Sequence, residues 1–121
     1  DNNISGNTLF VQNTIISGSA KPVDYSASAT AATGWTAADA INWFNTASYG
    51  NSILAANDEV KLAAPFNYSN PDFTPRSGSP LLTGASFTNS LLTSDFVATS
   101  YRGAVGPSGE EATWWKGWTR F

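Results

Sequence analysis

The chain has 121 residues, six Lys and Arg against nine Asp and Glu, a formal net charge of -3, and no Cys, His or Met. Without Cys and His, the sequence excludes a disulfide framework, a thiolate metal site, a thiol nucleophile and a Ser-His-Asp triad. Six scattered cations on an acidic chain do not suit nucleic acid, and the short apolar runs do not suit a membrane span.

The beginning of the chain predicts two short strands. Leu9–Val11 and Thr14–Ile16 are rich in aliphatic, aromatic and β-branched residues, with Asn, Gly and Ser around them. Gln12-Asn13 between them is a poor hairpin turn, because the second position of such a turn normally requires Gly. The pattern therefore favours a coil of a parallel β-solenoid, with an ordinary β-meander as the alternative.

Two further features belong to this beginning. The tripeptide Ile-Ser-Gly occurs at 4–6 and again at 16–18, which is a weak echo of an internal repeat. Residues 27–32 are small and low in complexity. We expect them to form a surface excursion.

A helix is predicted from about residue 36 to residue 47. Thr36 is a suitable N-cap, and Asp39, three residues later, complements it and the helix dipole. Apolar residues recur at the 3.6-residue spacing of one helix face, at Ala37, Ala40, Ile41 and Phe44. A helix of this length is stable only when it docks on the rest of the protein.

The remainder predicts short strands and an irregular end. Strand candidates are Ser52–Leu54, Val60–Leu62 and Phe96–Ala98. Between Pro65 and Pro80 there are four prolines, which exclude a helix and a central strand and favour an extended segment. The tail carries three of the five tryptophans.

Several phrases resemble those of one group of proteins. Residues 70–85 are similar to the closing coil of right-handed parallel β-helix proteins of the pectin-lyase-like type. They read Asn-Pro-Asp-Phe-Thr-Pro-Arg-Ser-Gly-Ser-Pro-Leu-Leu-Thr-Gly-Ala. The tail of secreted or surface β-helix proteins of Bacteroidetes resembles Tyr-Arg-Gly-Ala-Val-Gly at 101–106 followed by Trp114, Gly117 and Trp118-Thr119, and also Trp-Phe-Asn-Thr at 43–46. Val105 stands where that tail usually has an aromatic residue.

The resemblance covers most of residues 35–121 and implies a mainly β fold. That fold would be the C-terminal coils of a right-handed parallel β-helix, with a short capping α-helix and an irregular aromatic tail. We expect one domain over residues 1–121, with coils and a loop excursion in 1–34, the capping helix in 35–50, and the closing coil and C-terminal cap in 51–121. The resemblance also implies that the chain is a piece of a longer solenoid.

No group of residues predicts catalysis, a metal or another cofactor. The adjacent acidic pairs, Asp58-Glu59 and Glu110-Glu111, would point to opposite faces of a strand, so neither has the spacing of a catalytic dyad. A calcium loop of the Asp-x-Asp-x-Asp-Gly type does not occur in the sequence. Asp72 is predicted to form a turn by accepting a hydrogen bond from its own backbone. We therefore expect no enzyme activity within this chain.

The candidate functional residues are aromatic side chains and one cation. A flat indole face can stack on a sugar ring, but Trp also supplies a large buried area, so the same residues could instead close the end of a solenoid. The cation, Arg102, is expected to stack on a Trp or to pair with an acid in that cap. Neighbours in an extended tail point apart, so at most one of Trp114 and Trp115 should be buried. The aromatic candidates are Trp35, Trp43, Tyr101, Trp114, Trp115 and Trp118.

Three functions follow from these features. The first is a structural capping segment and non-enzymatic scaffold or adhesion component, with upstream β-helix coils or another protein chain as its partner. The second is a carbohydrate-binding or carbohydrate-processing β-helix protein whose active coils lie upstream, with a polysaccharide as its partner. The third is a filament or assembly subunit. Charged residues make up 12% of the chain, about half the usual share, and this agrees with a secreted or outer-surface location.

Overall fold

The computed structural model of the protein describes residues 2–92 and 94–118, and predictions that fall on Asp1, Thr93 or the last three residues lie outside this part. The chain divides into two compact units, the first ending at Ala55 and the second beginning at Ala56. Each unit contains its own pair of short strands. Within the described residues, no helix has the length and apolar character needed to cross a membrane.

The first unit is built around two parallel strands. β1 (Ile15–Ser17) pairs with β2 (Ser52–Leu54), and Ile16 lies opposite Ile53. Parallel strands require a long crossover. The helical elements of this unit are α1 (Asn2–Ser5), α2 (Ala27–Thr33), α3 (Ala37–Phe44) and the 3-10 turn Ala47–Tyr49, of which the last three lie in the crossover. The predicted strand at 52–54 is confirmed, and the one at 14–16 is displaced by a single residue.

The predicted helix with its capping box is confirmed as α3. The Thr36 hydroxyl accepts a hydrogen bond from the Asp39 amide at 3.3 Å, and the Asp39 carboxylate accepts one from the Thr36 amide at 2.9 Å. Ala40 and Phe44 are buried, as the 3.6-residue spacing predicted. The helix ends at Phe44, three residues before the predicted end.

Residues 27–32 lie at the surface as predicted, but the predicted loop excursion is wrong, because the chain forms the helix α2 there. The Ser26 hydroxyl accepts a hydrogen bond from the Ala29 amide at 3.2 Å, which caps the N-terminus. At the other end, Gly34 has a φ of 76°, and its amide donates to the Thr30 carbonyl at 2.8 Å. This helix was not predicted because the low complexity of the segment is typical of a loop. Its alanines favour a helix, and both ends have good caps.

One side chain connects the strands of the first unit to α3. The Asn51 amide nitrogen donates to the Val11 carbonyl at 2.8 Å and to the Phe44 carbonyl at 2.9 Å. Its oxygen accepts from the Thr14 amide at 2.9 Å. Asn51 thus satisfies three backbone groups that the strand ladder and the helix leave without partners.

The second unit contains an antiparallel strand pair followed by turns. β3 (Leu62–Ala64) pairs with β4 (Asp72–Pro75), and Leu62 lies opposite Pro75. The strand register shifts before the next pair, Ala64 and Asp72. A proline is tolerated here because a two-stranded sheet has only edge strands. The other elements are α4 (Gly109–Thr113) and the 3-10 turns Asn57–Val60, Pro80–Leu82, Ser90–Leu92 and Trp114–Gly117.

Buried side chains in the second unit hold its turns together. The Ser79 hydroxyl, 6% exposed, donates to the Val60 carbonyl at 2.6 Å and accepts from the Leu81 amide at 3.2 Å. It therefore joins the turn before β3 to the turn after β4. Ala112 and Trp115 are also buried.

The predicted right-handed parallel β-helix is wrong. The described residues contain two two-stranded sheets, one parallel and the other antiparallel, and no stack of coils. A solenoid buries its core by stacking successive parallel strands, whereas here each sheet stops at two strands. The two Ile-Ser-Gly tripeptides do not form a structural repeat, since 4–6 begins in α1 and 16–18 begins in β1.

Three other predicted strands also differ from the structure. Residues 9–11 and 96–98 are not in strands, and the segment predicted as 60–62 is divided between a 3-10 turn and β3. Phe96 and Val97 are 58% and 87% exposed, so apolar composition at these positions does not lead to burial. A closing coil over 51–121 is likewise absent from the described residues, since its antiparallel hairpin replaces the stacked parallel strands.

Candidate functional site

The predicted aromatic residues are divided between the two units. In the first unit, Trp35 lies beside Tyr25 with ring centroids 6.3 Å apart, and Trp43 meets Tyr49 edge to face at 6.0 Å. Both tryptophans are half-buried. They therefore contribute to packing within the first unit.

Trp115 is the packing tryptophan of the second unit. It lies in the 3-10 turn that continues from α4, and it is 7% exposed. Its ring meets Phe73 of β4 edge to face, with centroids 5.2 Å apart. Its indole N–H donates to the Ala112 carbonyl at 3.1 Å. The buried indole is thus fixed at both its apolar and its polar end.

Trp114 and Trp118 form an exposed pair beside this packed residue. Their ring centroids lie 5.5 Å apart with an angle of 84° between the planes. Trp114 is 46% exposed and Trp118 is 81% exposed. Trp114 begins the 3-10 turn and Trp118 directly follows it, and in this arrangement the two rings are in contact. Of Trp114 and Trp115 only Trp115 is buried, but the extended tail from which this was predicted is wrong, because both residues lie in a 3-10 turn.

A backbone contact fixes one ring of this exposed pair. The Trp114 indole N–H donates to the Ala104 carbonyl at 2.7 Å. Because this bond and the contact with Trp118 restrict the Trp114 side chain, the pair presents a partly pre-organised aromatic surface. We call Trp114 and Trp118 the aromatic pair.

Tyr101 and Arg102 occupy structural positions in the second unit. The Arg102 amide donates to the Leu81 carbonyl at 2.7 Å, and its guanidinium lies against Gly84, where an added Cβ would come 2.7 Å from the guanidinium carbon. Burial raises the pKa of the Tyr101 hydroxyl, and the nearby Glu111 carboxylate raises it further. Both residues therefore connect chain segments and do not extend the aromatic pair.

The acidic residues with shifted pKa values serve as hydrogen-bond acceptors. Donation from the Thr36 hydroxyl and amide lowers the pKa of Asp39, and hydrogen bonding from Thr74 lowers the pKa of Asp72. The Thr74 amide lies 2.9 Å from the Asp72 carboxylate, which confirms the predicted turn. A general acid requires the opposite shift. In residues 2–92 and 94–118, no three His, Cys, Asp or Glu side chains are grouped so that they could hold a metal ion.

Comparison of the chain with protein-family models, with curated protein sequences and with solved structures gives no match. The function therefore has to be inferred from the side chains that the structure exposes. Sequence reasoning singled out both members of the aromatic pair. It missed a cleft beside β3 and β4, described below, because the pairing of these two strands was not predicted.

Proposed function

We propose that the protein is a non-enzymatic, secreted or cell-surface adhesion module that binds carbohydrate through Trp114 and Trp118. The exposed aromatic pair is the observation that supports this proposal most directly. With 81% of its surface exposed, Trp118 presents an open indole face, and such a face suits the C–H face of a pyranose ring.

The division of roles among the three tail tryptophans gives further support. Trp115 provides the buried area and the contact with Phe73, whereas Trp118 is largely exposed and Trp114 about half exposed. A large exposed ring adds little to folding stability, because it is not removed from water. Binding is a more economical explanation of such a pair. A capping role presupposes a solenoid and is not proposed.

Composition supports the location. Charged residues are 12% of the chain, and its polar surface consists largely of hydroxyl and amide groups, as expected for a protein outside the cell.

Affinity electrophoresis through gels containing soluble polysaccharides tests the proposal. We expect at least one neutral glycan in a panel of β-glucan, xylan, mannan and starch to retard the full chain. Trp118→Ala should weaken this binding by roughly fivefold or more, because truncating an aromatic hot spot costs more than about 1 kcal/mol. Tyr68→Ala is the matched control, since Tyr68 is 80% exposed and has no ring partner among the described residues.

Three results would overturn the proposal. The first is the absence of retardation by every glycan in the panel. The second is equal retardation of the wild type and of Trp118→Ala, which would place the contact elsewhere. A loss shared equally by Trp118→Ala and Tyr68→Ala would indicate nonspecific adhesion of exposed rings and would also contradict a site at the aromatic pair.

A further inference from the structure

A cleft of about 550 Å³ opens beside the antiparallel strands of the second unit. Volumes of roughly 300–1,000 Å³ are typical of small-molecule sites. The aromatic pair is not part of its lining. The residues that give this cleft its chemical character are Asp58, Lys61, Leu62, Pro65, Phe66 and Arg76. We call it the hairpin cleft.

Backbone hydrogen bonds place two cationic residues opposite each other at one end of the hairpin. Lys61 precedes β3, and its amide donates to the Asp58 carbonyl at 2.9 Å. Arg76 follows β4, and its amide donates to the Lys61 carbonyl at 2.9 Å. A hydrogen-bonded antiparallel pair has its Cα atoms about 5.5 Å apart. The two side chains therefore start from neighbouring positions.

Local contacts restrict both cations. The Arg76 guanidinium donates through Nη2 to the Ala63 carbonyl of β3. The Lys61 ammonium lies close to Gly78, where an added Cβ would come 3.2 Å from Nζ. Lys61 itself has a φ of 51°, in the left-handed region that costs most residues about 1–2 kcal/mol. The turn thus places a long cationic side chain where glycine or asparagine would fit the backbone better.

No nearby carboxylate of the described residues forms a close ion pair with these cations, although the Asp72 carboxylate is near enough to Arg76 for the two charges to interact. Among the described residues, no carboxylate lies within 4.0 Å of Lys61 or Arg76. The ion pair seen among these residues joins Lys21 to Asp24 in the first unit. Asp58 lines the cleft but is beyond that distance. The Glu59 carboxylate accepts from the Ala56 amide at 2.7 Å. Two cations and one carboxylate leave the lining with a net positive charge, which favours an anion.

The rest of the lining is apolar. Phe66 is 61% exposed, and Leu62 and Pro65 are half-buried beside it. A ligand that covered Phe66 would remove apolar surface from water at about 25 cal/mol per Å². The same ligand would need a negative group for Lys61 and Arg76, and a carboxylate matches the donors of both.

We propose that the hairpin cleft binds small amphipathic carboxylates, with the carboxylate held by Lys61 and Arg76 and an aliphatic or aromatic body resting on Phe66. This site is separate from the aromatic pair, so its success or failure does not depend on carbohydrate binding.

Titration of the ¹⁵N-labelled full chain with 3-phenylpropionate, followed by two-dimensional NMR, tests the proposal. We expect saturable shifts of the Lys61, Arg76 and Ser77 amides, and hexanoate should produce shifts at the same positions. The neutral isostere 3-phenylpropan-1-ol, which lacks the charge, and acetate, which lacks the apolar body, should each bind several-fold more weakly. Raising the ionic strength should weaken the binding of 3-phenylpropionate, because salt screens exposed charges.

Charge-removing variants identify the residues responsible. Lys61→Gln and Arg76→Gln should each weaken binding of 3-phenylpropionate by roughly threefold to tenfold, or about 0.7–1.4 kcal/mol, because a solvent-exposed charge pair contributes less than a buried charged hydrogen bond. Lys21→Gln is the control, since Lys21 lies in the first unit and does not line the cleft. If Arg76→Gln fails to fold after losing its contact with Ala63, Lys61→Gln decides the question.

The proposal fails if 3-phenylpropionate gives no saturable shifts at the hairpin. It also fails if 3-phenylpropan-1-ol binds equally well, because the cleft would then be an apolar surface without selectivity for anions. Unchanged affinity in Lys61→Gln, or an equal loss in Lys21→Gln, would contradict the assigned role of Lys61.

Discussion

Replacing Asn51 with aspartate exchanges one nitrogen for oxygen at the point where the strands of the first unit meet α3. In the native protein, the Asn51 amide nitrogen donates to the Val11 and Phe44 carbonyls at 2.8 and 2.9 Å. In Asn51→Asp both donations would be lost, and a carboxylate oxygen would face two carbonyl oxygens. The bond that Asn51 accepts from the Thr14 amide at 2.9 Å could persist.

The size of the effect follows from these contacts. Each lost hydrogen bond contributes about 0.5–1.5 kcal/mol net, and a carbonyl left without a partner in a part-buried site costs about 1–3 kcal/mol. We therefore expect Asn51→Asp to lower the free energy of unfolding of the first unit by about 2–5 kcal/mol. That is a large part of the stability of a small domain.

Urea unfolding followed by NMR peak intensities of amides in the first unit, such as Ile16 and Ser52, measures this free energy directly. Gln12→Glu is the matched control, because it makes the same change from amide to carboxylate at an exposed position of the same unit. It should shift stability by less than about 0.5 kcal/mol.

A pH series provides a second readout of the same variant. Carbonyl oxygens around the new carboxyl group should raise its folded-state pKa above the unfolded value of about 3.9. The destabilisation should therefore be full above the folded pKa and shrink as the pH falls toward the unfolded one. Equal stability of Asn51→Asp and Gln12→Glu at pH 7 would refute the assigned role of Asn51.

Three further predictions concern packing, backbone conformation and pH. Trp115→Ala should destabilise the second unit by about 3–5 kcal/mol in urea unfolding, and Trp118→Ala by about 0.5 kcal/mol or less; similar losses would contradict the difference in burial. Gly84→Ala should cost about 1–3 kcal/mol more than Gly103→Ala by thermal unfolding, since both residues have positive φ but only Gly84 lies under a guanidinium; equal costs would show that this contact is not tight. Hydrogen bonds lower the folded-state pKa of Asp39 below 3.8, so its stabilisation of the first unit should be full above the unfolded pKa and disappear as the pH falls through the folded one. Asp39→Asn should therefore weaken the pH dependence of the thermal unfolding midpoint between pH 5 and 2. An unchanged pH dependence in this variant would contradict the assignment.

Several patterns that extend over a few residues were predicted well, although the equally local caps of α2 were missed. The reciprocal capping of Thr36 and Asp39, the apolar face of α3 and the Asp72 turn each depend on groups no more than four residues apart. In such cases the sequence specifies both partners at once, so the prediction requires no knowledge of the rest of the fold.

Strand pairing could not be predicted in this way. Ile16 pairs with Ile53 in parallel and Leu62 with Pro75 antiparallel, but the apolar three-residue runs that form β1, β2 and β3 are equally compatible with a solenoid. Period-2 patterns this short do not specify a partner or a direction. The resemblance of longer phrases to β-helix tails therefore directed the prediction to the wrong fold.

The sequence by itself determined the composition of this protein, its capped helix, its local turns and the presence of three tryptophans near its end. Tertiary structure alone decided that Trp115 is buried while Trp118 is exposed, that Asn51 satisfies distant carbonyls, and that Lys61 meets Arg76 beside a cleft. The physical reason is the range of the interactions. Local hydrogen bonds are specified by neighbouring residues, whereas long-range pairings result from competition among many similar short segments for partners.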